Sequence, residues 1–396
     1  MEISSNCVCS DEQEPQPFQY SRFESSRQIR LLRVHSEEGL EKMRCTLLDV
    51  QLDDLPVTYQ AISYCWGDQT TEDRVWCCAH RFLPVNESLA ILLRYLINSK
   101  ASGWFWIDAL CIDQNNHEEK GRQVQMMGEI YATAEEVVAW LGEPSIDSDL
   151  AIPFISSLKN AIEHFHDVGQ TIVTLDALVK SLSCENLSAN WIALGAFIHR
   201  PWFERVWIIQ EVVLAAKPII RCGDLTVKWE SLTKVANVIQ DSGLSETLLG
   251  IHADGHIRVD PTNLGNVINI DRIRSYRIAR KMIGFKHILL SCYRFQATDP
   301  RDKIFGMLGM AINGEELLLE PDYTASIQDV YVRSACHLLT GDESLQLLHV
   351  AGTGYPRSID DLPSWVPDWT VPTDISTYDV PEHFCLILER VVLIPE

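Results

Sequence analysis

Two short apolar runs flank an amphipathic segment between Trp104 and Gly142: "WFWIDALCI", then "EEKGRQVQMMGEIYATA", then "EVVAWLG". A strand that is apolar on both faces must be covered on both, which is the environment of a central parallel strand. Asn116 with Glu119 three residues later forms a helix N-cap pattern. The segment that follows places Val124, Met127 and Tyr131 on one stripe of a helix. Upstream, "YQAISYCWGD" reads as an apolar strand ending at Gly67. "NESLAILLRYLINSK" then carries Leu89, Leu92, Leu93 and Leu96 at helical spacing, with Asn86 or Ser88 available as N-cap. Strand, helix, strand, helix, strand in this order predicts an α/β unit with a parallel sheet and right-handed crossovers.

Additions to that unit are legible on both sides. Residues 1–18 are polar and rich in Glu, Gln and Pro, which predicts a disordered leader. "QIRLLRVH" and "RCTLLDVQL" read as strands, while "RVWCCAHRFLPV" and "KPIIRCGDLTVKW" read as hairpins. Helical patterns dominate from Asp147 to Ala216. The principal domain is therefore expected over 19–229, followed by a mainly helical region over 230–396. The tail ends on the apolar run "CLILERVVLIPE", whose lack of a visible partner suggests a chain cut short.

Composition narrows function by exclusion. A formal net charge of −22 over 396 residues, with no clustered Lys and Arg, argues against nucleic acid. It equally disfavours an anionic membrane surface, and no apolar stretch approaches the length of a membrane span. The N-terminus has no apolar signal core, so the 12 cysteines are read as thiols of a reducing cytosol. No C-x-x-C pair occurs, His252 and His256 flank a turn-like "ADG", and His164 and His166 point to different sides of a helix. No metal site is expected.

In open α/β sheets, ligands bind at the carboxyl ends of the strands. Here one strand ends in Ser63, Tyr64, Trp66, Gly67 and Asp68, and another in Asp108, Cys111, Asp113 and Gln114. Neighbouring strands would bring these clusters into one pocket. The alternative is that Asp113 to Asn116 cap a helix while Ser63 and Asp108 bond nearby backbone. "RPWFERVWIIQEVVLAA" is apolar around nearly its whole circumference and reads as a buried helix with Pro201 in its first turn. Yet it holds Gln210 and Glu211, with Trp207 one turn before the carboxylate. Such a carboxylate is either ion-paired, with Arg200, Arg205 or another arginine, or poised in an aromatic-walled cleft. Arg301, Asp302 and Lys303 in "ATDPRDKIFGMLGMA" read as a salt-bridge cluster. Cys111 reads as a core cysteine rather than a nucleophile. Dinucleotide and P-loop glycine motifs are absent.

"YQAISYCWGD", "WFWIDALCIDQNNHEEKGRQVQMMGEIYATAEEVVAWLG" and "RPWFERVWIIQEVVLA" resemble, in that order, the three blocks of the fungal heterokaryon-incompatibility (HET) domain, over about 59–216. The resemblance implies a non-self recognition protein that triggers programmed cell death through protein partners. HET domains have in turn been regarded as distant relatives of TIR domains, which have a flavodoxin-like fold and in some branches cleave NAD. "AISY", "FWID" and "WIIQE" resemble TIR segments, the last a Trp-x-x-x-Glu helix whose glutamate is catalytic in the NAD-cleaving members. That likeness implies a TIR/flavodoxin-like parallel core with NAD as substrate and no resident cofactor. It also implies Glu211 as the catalytic carboxylate, with Ser63, Tyr64, Trp66, Gly67, Asp68, Asp108, Asp113 and Trp207 around the substrate. The other reading is a non-enzymatic signalling scaffold that works by protein–protein assembly, including self-assembly.

Overall fold

A computed structural model of the chain describes residues 14–35, 42–68, 70–169, 175–182, 186–241, 261–281, 283–310, 319–340, 347–348, 350–352 and 357–371. The strands are β1 (Gln16–Pro17), β2 (Gln28–His35), β3 (Arg44–Gln51), β4 (Tyr59–Tyr64), β5 (Thr71–Trp76), β6 (Arg81–Asn86), β7 (Trp104–Trp106), β8 (Glu136–Trp140), β9 (Pro218–Cys222) and β10 (Leu225–Lys228). They form one sheet of order β1-β6-β5-β3-β2-β7-β4-β8-β9-β10. Its centre, β7-β4-β8-β9, is parallel throughout. Taken in chain order these four strands run 2-1-3-4, the start of the flavodoxin-like 2-1-3-4-5 winding. The hairpins β2–β3, β5–β6 and β9–β10 extend the core on both sides.

The helices are α1 (Glu87–Asn98), α2 (Asp108–Cys111), α3 (His117–Thr133), α4 (Ile146–Asp167), α5 (Leu175–Ser181), α6 (Leu187–Ile198), α7 (Ile208–Val213), α8 (Trp229–Asp241), α9 (Pro261–Ile278), α10 (Phe285–Ser291), α11 (Asp302–Leu308) and α12 (Ile327–Leu339). α1 connects β6 to β7, α2 and α3 connect β7 to β8, and α4 to α7 lie between β8 and β9. Asn86, not Ser88, caps α1 by accepting from the Leu89 amide at 2.9 Å. Asn116 caps α3 as its spacing predicts. The helical C-terminal region packs back on the α/β part, α9 against α7 and α11 against α3 and α7. Of the expected leader, residues 1–13 lie outside the described residues. Gln16 and Pro17 pair with Arg81 and Phe82 of β6.

Two expected elements differ. "WFWIDALCI" is not one strand: β7 stops at Trp106 and Asp108 starts the single turn α2. Asp108 suits that place, because its carboxylate accepts from the Ala109 amide at 2.7 Å and acids favour helix N-termini. "RPWFERVWIIQEVVLAA" is likewise broken, into a 3₁₀ turn at Pro201–Glu204 and α7. Between them Arg205 bridges to Gln296, with Val206 N–H donating to the Gln296 carbonyl at 2.8 Å and Gln296 N–H to the Glu204 carbonyl at 2.5 Å. Long-range pairing wins over local helix continuation.

Beneath the turn after β7 lies a buried ion pair. Arg30 on β2 is 1% exposed and holds Glu119 of α3, itself 6% exposed, through both oxygens. Arg30 also donates to the Cys111 and Ser21 carbonyls, and the Glu119 carboxylate accepts from the Asp113 amide at 2.8 Å. Arg30→Met strands the carboxylate in the core and is expected to cost about 3–5 kcal/mol in urea unfolding. Arg30→Met/Glu119→Leu should recover most of that loss. A double variant as unstable as the single one would show that the pair itself, rather than the stranded charge, sets the cost.

Candidate functional site

Consecutive side chains of a strand point to opposite faces, so the end of β4 serves two environments. Ser63 faces α3 and α7. Its hydroxyl donates to the Glu211 carboxylate, and it accepts from the Trp202 indole N–H at 2.7 Å. The Tyr131 hydroxyl of α3 donates to the other Glu211 oxygen at 3.2 Å. Ser63, Tyr131, Trp202 and Glu211 are each 1–2% exposed. Among the described residues no cation lies within ion-pair distance of Glu211. Arg200 pairs with Asp147 instead, and Arg205 donates to the Tyr64 carbonyl at 2.7 Å. Burial pushes the Glu211 carboxyl above its ordinary range, opposed by the more distant Arg205 charge and by the Ser63 hydrogen bond.

Tyr64 faces the other way, toward α1. Its register partner on β8 is Trp140, on whose ring Tyr95 of α1 packs at 4.5 Å between centroids. Winding reverses between β4 and β8, and a cleft of about 350 Å³ opens there. Its walls include Tyr64, Ser88, Trp140, Gly142, Arg200 and Trp202. Such a crevice beyond the strand ends, at the point of reversal, is where open α/β sheets bind ligands. The volume stands at the small end of the range for small-molecule sites, enough for one ring system and its substituents. The Tyr64 hydroxyl is buried and has no hydrogen-bond partner among the described residues, an orphan that a ligand could satisfy. Arg200 is fixed on the opposite wall by the Leu141 carbonyl at 2.8 Å, Ser145 Oγ at 2.5 Å and Asp147.

The other candidate residues divide around this cleft. The Trp66 indole donates to Asp108 at 3.0 Å, so the two polar strand ends do meet. Gly67 has φ +65°, and a Cβ there would come within 2.4 Å of Ser88 Oγ, so any side chain at the turn is strained and crowds Ser88. Asp68 is exposed and accepts from the Thr70 amide at 3.1 Å. Asp113 accepts from the Asn115 amide at 3.1 Å, holding the turn into α3. Trp207 leaves the site altogether: its indole donates to Asp302 of α11 at 3.1 Å.

The same alternation accounts for what sequence reading missed. Trp140, Gly142, Arg200 and Trp202 reach the cleft because β8 sits beside β4, while Ser88 reaches it from α1. The aromatic and basic residues of "HRPWF" were the available signal. The expected Arg301–Asp302–Lys303 cluster is absent. Arg301 pairs with Asp299, Asp302 accepts from Trp207 and Tyr323, and Lys303 donates to the Tyr293 and Phe295 carbonyls. Burial raises Asp302 to about 6 and lowers Lys303 to about 8. Cys111 is fully buried and its thiol is pushed up to about 12 by burial, as suits a core cysteine. Among the described residues no group of three or more His, Cys, Asp or Glu could hold a metal, and no helix is long and apolar enough to cross a membrane. His252 and His256 lie outside the described residues.

The profile of the heterokaryon incompatibility protein (HET) family matches residues 59–211, the span from β4 to Glu211. The chain carries a HET domain. Over 403 aligned residues it is 26% identical to heterokaryon incompatibility protein 6, OR allele, of Neurospora crassa. That alignment covers 87% of this chain and 58% of the relative, so the chain spans well under two thirds of the relative's length. No solved structure matches. The HET match opens at Tyr59, the first residue of β4, and closes on Glu211 of the polar network.

Burial leaves the folded-state value of the Glu211 carboxyl above its unfolded one. Its stabilising contribution is full below the unfolded value, ordinarily 4.5, and is lost as pH rises through the higher folded value. Glu211→Gln, which keeps the shape and stays neutral, should therefore flatten the loss of stability between pH 4.5 and neutrality seen in the wild type. Thermal unfolding across that range checks it, and parallel curves for the two proteins would refute the assignment.

Proposed function

We propose that this chain acts in heterokaryon incompatibility as a signalling module, triggering programmed cell death through protein–protein assembly. The HET match and the Neurospora crassa relative, itself named a heterokaryon incompatibility protein, support the biological setting. One observation carries the choice of a non-enzymatic module. The Glu211 carboxylate is 2% exposed, both its oxygens are taken by hydroxyls, and it does not line the cleft. A carboxylate must approach the reacting centre to stabilise developing positive charge there. In this arrangement Glu211 joins β4, α3 and α7 and supports the fold on which partners assemble.

NAD glycohydrolysis is the second reading, favoured by the aromatic cleft directly above the network. Trp202 lines that cleft and is joined to Glu211 through Ser63 alone. On this reading assembly draws Trp202 aside. Glu211 then stabilises the oxocarbenium-like state as the nicotinamide–ribose bond breaks, while Tyr64 and Trp140 hold a ring.

Glu211→Gln separates the two. The amide oxygen still accepts from Ser63 and the amide N–H can donate to Tyr131, so the variant is expected to fold. For the module, killing in a fungal death assay should match wild type at equal protein level, and neither purified protein should release nicotinamide from NAD, even when concentrated. Release by wild type alone, with killing abolished in the variant, would transfer the conclusion to NAD cleavage.

A further inference from the structure

Two thiols stand face to face on the far side of the sheet from the cleft. Cys45 lies in β3 and is 2% exposed; Cys77 follows β5 directly and is half-buried. Their sulfurs are 3.7 Å apart. Backbone register explains the approach. β3 and β5 run parallel with Arg44 opposite Trp76, so the next residue along each strand is a cysteine. The Trp76 N–H donates to the Met43 carbonyl at 2.9 Å and fixes that register. Neighbouring strands lie about 4.7–4.9 Å apart, inside the Cα separation of about 4.4–6.8 Å that a disulfide spans. Only a side-chain rotation is needed to bring the sulfurs into bonding distance.

The two thiols differ in access, and that difference sets an order of events. Cys77 can meet a solute, whereas Cys45 is buried with its sulfur against that of Cys77. The accessible thiol is the one an oxidant reaches first.

We propose that Cys77 and Cys45 form an oxidative modification site that takes a hydroperoxide. Cys77 sulfur attacks the peroxide; a sulfur–oxygen bond forms as the oxygen–oxygen bond breaks, giving the sulfenic acid and one molecule of water from hydrogen peroxide. The Cys45 sulfur then displaces the sulfenic oxygen, which leaves as a second water, and a sulfur–sulfur bond forms. Two thiols are oxidised by two electrons and one peroxide is reduced by two. The covalent ring so closed contains β4, Ser63, Tyr64 and the turn at Gly67. It also ties β3 to the hairpin whose end, Asn86, caps α1 and donates to the Trp66 carbonyl at 2.6 Å. Oxidation thus clamps the rim of the cleft without touching its lining. The site is independent of whether the domain cleaves NAD.

Hydrogen peroxide in slight molar excess, followed by alkylation, digestion and mass spectrometry of the folded chain, tests it. A Cys45–Cys77 crosslinked peptide, lighter by two hydrogens than the separate pair, is expected in wild type and equally in Cys78→Ser. Cys45→Ser should instead leave Cys77 as a sulfenic acid that dimedone traps. Dithiothreitol should remove the crosslink and reverse the rise in Tm that accompanies it. A bond between Cys77 and the adjacent Cys78, or overoxidation of Cys77 while Cys45 remains an alkylatable thiol, would overturn the proposal.

Discussion

Taking the Glu211 carboxylate out of water carries a desolvation cost that the fold must offset, and it does so without a contact cation. Burial raises the carboxyl above its ordinary range, and the Ser63 and Tyr131 hydroxyls, aimed at its two oxygens, oppose that rise. Each partner comes from a different element. Ser63 ends β4, Tyr131 lies near the end of α3, and Trp202, bonded to Ser63, sits in the 3₁₀ turn. A network of this kind fixes four elements at one point and tolerates no shift in any of them, because each lost bond leaves a polar atom buried. The two β4 residues that differ most in role, Ser63 and Tyr64, are held in place by it.

That fixed point also reaches the helical C-terminal region. The chain leaves the 3₁₀ turn, pairs with Gln296 at Arg205 and Val206, and re-enters helix as α7. Had it continued as one helix, Trp202 and Glu211 would keep a helical phase instead of converging on Ser63. The detour is therefore what permits the convergence, and residues beyond 290 supply it. Arg274 of α9 then donates to the Val212 and Ala215 carbonyls at 2.9 and 2.5 Å, satisfying the buried C-terminal end of α7. Trp207, read from its spacing as a wall of the cleft, is committed to Asp302 in this same interface. The HET match ends at Glu211, but the geometry that seats Glu211 depends on chain outside it.

Period and punctuation carried most of the elements. β2, the helix caps at Asn86 and Asn116 and three hairpins follow from local patterns that no distant contact contradicts. Two of the three misjudged stretches are those where a distant partner competes with local preference. Gln296 breaks the expected helix, and the Arg30–Glu119 pair, 89 residues apart in sequence, organises the turn after a strand cut to Trp106. Arg301, Asp302 and Lys303 were misjudged for another reason: charges adjacent in sequence point apart, to Asp299, Trp207 and two carbonyls. At the site, the meeting of Trp66 with Asp108 was legible because both ends lie on neighbouring strands. Arg200 and Trp202 were not, since their approach depends on where winding reverses.

Alternation along β4 separates what the sequence places side by side. Ser63 belongs to a closed network on one face, Tyr64 to an open cleft on the other, and Trp202 joins the two by bonding the first and lining the second. A ligand in the cleft therefore has one direct route to Glu211, through the indole that holds Ser63 in orientation. Displacing that indole would free the Ser63 hydroxyl to rotate and leave Glu211 short of a donor, raising the free energy of the closed arrangement. Occupation of the cleft and integrity of the network are coupled through a single side chain, so binding on the α1 face can be read on the α3 face.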